Sequence, residues 1–104
     1  MLLAETLPSF AAELEELLKK EGHPELAAQV SGLKIVDRCR CGDDFCASFY
    51  TEPKPQGAYG AGHRCVELEP ETGMLILDVV GDKITHVEVL HRQAIRERLL
   101  MSLP

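Results

Sequence analysis

The sequence predicts an α+β fold: an N-terminal helical hairpin, a five-stranded, mainly antiparallel sheet and a C-terminal helix. Three observations predict it. Apolar residues before Gly22 recur at helical spacing. From Leu33 to Leu90 they fall in short strand-like runs broken by turn residues. After His91 helical spacing returns. The 104 residues suit a single domain, 1–104, able to bury a core without a disulfide or a metal.

Leu7, Phe10, Ala11, Leu14, Leu17 and Leu18 mark one face of a helix over about residues 8 to 20. Pro8 fits its first turn, where a missing N–H costs nothing, and Gly22 is a natural stop. Pro24 starts a short second helix that Gly32 ends. The strands follow: LKIVDRC, FCASFYT, HRCVELE, GMLILDVV and KITHVEVL, with a Pro- and Gly-rich loop over residues 52 to 62. Ile95, Leu99 and Leu103 place the last helix at roughly 92 to 101.

Gly81-Asp82 is a two-residue hairpin turn between the last two strands. Counted from it, Val79 faces Ile84, Leu77 faces His86 and Leu75 faces Glu88. Both faces of this hairpin are then partly apolar. That makes it a central element, covered on both sides over part of its length, or leaves a face through which a homodimer could form. His86 and Glu88 share a side, and the plainer reading of that pair is a position at a sheet edge or satisfaction by local hydrogen bonds rather than acid–base chemistry.

The net charge of −6 argues against a nucleic-acid partner, which calls for a basic face. No apolar run reaches the length of a membrane span. The segment MLLAETLPSF lacks the basic start and long apolar stretch of a secretion signal, so the expected location is cytoplasmic. Glu13, Glu15, Glu16 and Glu21 on the first helix, and Arg92, Arg96 and Arg98 near the end, read as solvated faces.

The stretch CRCGDDFC holds three of the four cysteines. Thiols in the cytosol are normally reduced, which points to buried hydrophobes, metal ligands or redox chemistry. Turn length decides among these, because a slip of one residue changes which side chains meet. A two-residue Gly42-Asp43 turn sets Cys39 opposite Cys46, but places Arg38 and Arg40 with Phe45, Ala47 and Phe49. A three-residue turn, Gly42 to Asp44, lines Ile35, Cys39, Cys41, Phe45, Ala47 and Phe49 on one face and is preferred on pattern. It buries Cys39 and Cys41 as small hydrophobes and isolates Cys46 on the outer face.

The metal alternative takes zinc on Cys39, Cys41 and Cys46, with Cys65 or His63 of the HRC segment as a fourth ligand. Its spacing is not that of paired C-x-x-C knuckles. A thiol-dependent enzyme is a third reading. It lacks both a C-x-x-C at a helix start and a local Cys–His signature. Gly57, Gly60 and Gly62 lack the helix and lysine of a phosphate cradle.

The runs DRCRCGDDFCASFYT, GHRCVELE and LILDVVGDKITHVEVLHR resemble a group of small bacterial proteins of uncharacterised function that share a C-x-C-G-D-x-x-C-x-x-F segment. The resemblance covers about Asp37 to Arg92 and implies no activity. The expectation is therefore a small accessory protein without catalytic machinery and without a cofactor, which binds another protein. Its surface would be the cysteine hairpin with the 52–62 loop, where Arg38, Arg40, Asp43, Asp44, Tyr50 and His63 stand.

Overall fold

Leu14 and Leu18 of the first amphipathic face are fully buried, and Phe10, Ala11 and Leu7 nearly so. The computed structural model describes all residues, Met1–Pro104. Helix α1 is Leu3–Thr6, α2 is Pro8–Lys20 and α3 is Pro24–Ala27, followed by a 3₁₀ turn at Val30–Gly32. Pro8 opens α2, Lys19 and Lys20 sit at its negative end, and Gly22 follows at φ +86°, a conformation glycine adopts freely. The one helix the sequence pattern does not anticipate is α1. Its place is fixed by Leu3 N–H donating to the Leu33 carbonyl at 2.9 Å.

The strands are β1 Asp37–Arg38, β2 Phe49–Tyr50, β3 His63–Leu68, β4 Met74–Val80 and β5 Lys83–Leu90, and α4 is Gln93–Ser102. They form one antiparallel sheet in the order β1-β2-β5-β4-β3, so the last hairpin is central, as expected. Val66 and Leu68 of β3, Leu75, Leu77 and Val79 of β4, Ile84, Val87 and Val89 of β5, and Phe49 of β2 are all buried. They meet the helices in one core, where the Phe10 ring stands edge-on to Phe49 at 6.1 Å. No helix is long and apolar enough to cross a membrane.

The expected pairing of β4 with β5 holds only for the two pairs next to the turn, Val80 with Lys83 and Val79 with Ile84. The register then shifts, and Asp78 faces His86, Leu77 faces Val87 and Ile76 faces Glu88. Thr85 is the extra residue of a β-bulge. Its Oγ1 donates to the Asp78 carbonyl at 3.1 Å, and its own carbonyl accepts from the Thr51 amide at 3.0 Å. The bulge moves Val87 and Val89 to the buried face, while Met74, Ile76, Val80 and Leu90 keep the other face partly apolar. It brings Ile84 into phase with Val87 and Val89, so that one face takes the buried apolar residues of both strands. His86 goes to the other face with Asp78.

After β5 the chain turns at His91, the one non-glycine residue with positive φ, +61°. Arg92 then clamps α2, with Nη1 and Nη2 2.9 and 2.6 Å from the two carboxylate oxygens of Glu13. Arg98 Nε donates to the Thr6 carbonyl at 3.2 Å. These contacts lay α4 beside the first two helices.

Candidate functional site

The strand leading to Cys39 stops early. Arg38 pairs with Phe49, the Cys39 amide donates to the Ser48 carbonyl at 2.8 Å, and regular pairing ends there. On the returning side the Ala47 amide donates to Val89 and the His91 amide to Phe45, at 2.8 and 2.9 Å. Residues 40 to 45 are thus a loop pinned at both ends. Gly42 bends it at φ +86°.

This geometry overturns both sequence registers. With Arg38 opposite Phe49, neither a two- nor a three-residue turn at Gly42 fits. Cys41 and Phe45 are exposed rather than in the core, and Cys39 and Cys46 are half-buried. Two residues along a straight strand stand about 6.6–6.8 Å apart. Once the strand ends, Cys41 swings back, and the sulfurs of Cys39, Cys41 and Cys46 lie within 4.8 Å of one another. The expectation of scattered thiols is therefore corrected: three converge. They border a cavity of about 30 Å³, room for an ion or a water and little else, together with Ser48 and the α4 residues Arg96 and Leu99.

The three thiols are not equivalent. Burial pushes Cys39 up to about 11, with the neighbouring thiols adding to the rise. Burial also raises Cys46, but hydrogen bonds from Ser48, Cys41 and Cys39 outweigh it and hold its pKa below the ordinary 9.0. Cys46 Sγ is 3.4 Å from Ser48 Oγ, which is itself anchored by the Val89 amide at 2.9 Å. Cys46 is therefore better placed than Cys39 to ionise first.

The hairpin's arginines are engaged within the chain. Arg38 Nε donates to the Leu103 carbonyl at 2.5 Å. Arg40 pairs with Asp37 at 2.9 Å and donates to the Pro104 carbonyl at 3.2 Å. The Arg40 guanidinium holds the Asp37 carboxyl below its ordinary range. Asp43 and Asp44 are exposed at the loop tip. Phe45, 43% exposed, stacks on His91 at 5.4 Å between ring centroids.

Cys65 does not join the other cysteines, and neither does His63. They lie on β3, at the opposite edge of the sheet from β1, and meet Asp78 instead. One cross-strand row runs Cys65–Asp78–His86–Tyr50. Asp78 Oδ1 is 2.8 Å from His63 Nε2 and 3.5 Å from Cys65 Sγ, while Oδ2 is 3.0 Å from His86 Nδ1. Burial raises the Asp78 pKa, but the hydrogen bonds of His63 and His86 prevail and lower it. The carboxylate is therefore an acceptor, and His86 carries its hydrogen on Nδ1, which leaves its buried Nε2 without a partner. Tyr50 packs on His86 at 4.5 Å and Tyr59 on His63 at 4.7 Å. Tyr50 stands between the clusters: burial first, then the charges of Cys39, Tyr59 and Asp78, push its phenol up.

Sequence reasoning missed Asp78 altogether and paired His86 with Glu88. The signal was the spacing of Ile84, Val87 and Val89, a step of three and then two, which no unbroken alternation accommodates. No protein family matches this chain, and neither does any curated protein or solved structure at a significant level.

Proposed function

We propose that this chain is a small accessory protein that binds zinc through Cys39, Cys41 and Cys46. The observation that carries the reading is the convergence of these three sulfurs within 4.8 Å. Two thiolates on one tetrahedral zinc, with Zn–S near 2.3 Å, stand about 3.8 Å apart. The loop has to contract by only about an ångström to reach that spacing. The cavity beside the sulfurs suits an ion and is far below the roughly 300 Å³ of a small-molecule pocket.

The site is regulatory or carrying rather than structural. Its loop ends are held by backbone hydrogen bonds, and the core of 23 buried apolar residues includes none of the three cysteines. Three protein ligands leave a fourth position, and the exposed Cys41 puts that position at the surface. A partner protein reaching this loop would meet Phe45, 43% exposed, beside the metal. Reduced thiols of this kind fit a cytoplasmic setting.

Competition of the reduced full chain against a chromophoric zinc chelator tests the reading. The native chain should hold one more equivalent of zinc than the Cys39→Ser/Cys41→Ser/Cys46→Ser variant, and after chelation it should remain folded, with its unfolding temperature lowered only by the linked binding energy. Equal zinc content in the two chains would sink the proposal. A zinc-free chain that is unfolded would show the metal to be structural instead.

A further inference from the structure

Beyond the cysteine loop, and independently of it, we propose that His63 Nε2, Cys65 Sγ and Asp78 Oδ1 form a second site for zinc or a similar divalent ion, with one coordination position open to solvent. One ligand atom from each of the three residues lies within 4.8 Å of the other two. Tetrahedral zinc with bonds of about 2.0–2.3 Å separates nitrogen, sulfur and oxygen ligands by about 3.3–3.5 Å. The observed sulfur–oxygen distance is 3.5 Å, and the nitrogen–oxygen distance of 2.8 Å needs to open by only a fraction of an ångström.

The scaffold favours this site in ways the loop site lacks. All three ligands stand on paired strands, with Cys65 directly across from Asp78 and His63 two residues before Cys65 on the same side. The ligand carboxylate is oriented by a positioning residue: His86 Nδ1–H holds Oδ2 and leaves Oδ1 for the ion. The His63 and His86 rings are each packed against a tyrosine ring. Cys65 is exposed and the His63 side chain 30% exposed, so an ion has a path in and water a path to the free position. On binding, the Cys65 thiol releases its proton and His63 presents the lone pair of Nε2 in place of its hydrogen. A nitrogen–sulfur–oxygen set with a free fourth position matches the ligand count of zinc sites that activate water.

Cobalt(II), a spectroscopic stand-in for zinc, tests the proposal in the full chain. The Cys39→Ser/Cys41→Ser/Cys46→Ser variant should bind one equivalent, with tetrahedral visible bands and the charge-transfer intensity of a single thiolate. His63→Ala and Asp78→Asn, each added to that variant, should abolish binding while circular dichroism shows the fold intact. His86→Ala should weaken cobalt affinity by about 10–100-fold. His86→Asn, whose amide can donate to Oδ2, should recover most of it. A folded triple variant that takes up no cobalt, or binding that survives either ligand substitution, overturns the site. Unchanged affinity in His86→Ala removes the positioning role. If the triple variant does not fold, His63→Ala in the otherwise native chain decides: cobalt uptake falls by one equivalent if the site exists and is unchanged if it does not.

Discussion

His86 lies directly across from Asp78, its Nδ1 3.0 Å from Oδ2, because Thr85 bulges out of β5. The bulge predicts an unusual deletion phenotype. Removing Thr85 should regularise the strand and keep Val79 opposite Ile84 and Asp78 opposite His86. It should also strip the Thr51 and Glu52 amides of their acceptor, the Thr85 carbonyl. The expected cost is about 1–3 kcal/mol, the penalty of a buried amide left unpaired, and not loss of the fold. Denaturant unfolding gives the magnitude and cross-strand NOEs give the register. NOEs joining His86 to Leu77 as its partner would contradict the assignment.

Two glycines with positive φ should respond differently to alanine. Gly81 has φ +63° and open space where a Cβ would go, so Gly81→Ala should cost about 1–2 kcal/mol for left-handed backbone alone. At Gly73, φ +74°, a Cβ would sit 2.4 Å from the Leu90 carbonyl oxygen and against Arg92. Gly73→Ala should therefore be clearly the more destabilising, since backbone must move where β5 hands over to α4. Paired urea titrations compare them, and equal midpoints would refute the close approach.

The unequal thiols should show in alkylation of the metal-free protein. The thiolate is the reactive form. Cys46, with its pKa held below 9.0, should reach its full iodoacetamide rate at a lower pH than Cys39, whose rate should keep climbing towards about 11. Both are half-buried, so access does not explain a difference. Peptide mass spectrometry across the pH series resolves the two sites. Ser48→Ala should move the Cys46 profile towards higher pH. Coincident profiles for Cys39 and Cys46 would contradict the hydrogen-bond assignment.

Where a strong local pattern met a simple partner, the sequence was readable. The apolar face of α2 and its Pro8 and Gly22 boundaries needed only helical spacing. The Gly81-Asp82 turn located the central hairpin, and the α+β layout followed. The sites were harder for an identifiable reason. CGDD tolerates several turn lengths, and β1 and β2 are only two residues each, so too few pairs exist for binary patterning to choose among them. The convergence of Cys39, Cys41 and Cys46 needs the strand to end at Cys39, which pattern does not reveal. The His63–Asp78–His86 network depends on one bulged residue. A single unit of register separates His86 beside Leu77 from His86 beside a carboxylate.

The most direct measurement is zinc-edge X-ray absorption on the His63→Ala chain loaded with one equivalent of zinc, which isolates the cysteine loop. The account predicts a shell of three sulfurs at about 2.3 Å with one lighter atom. A shell of nitrogen and oxygen alone, or one sulfur among lighter atoms, would contradict it.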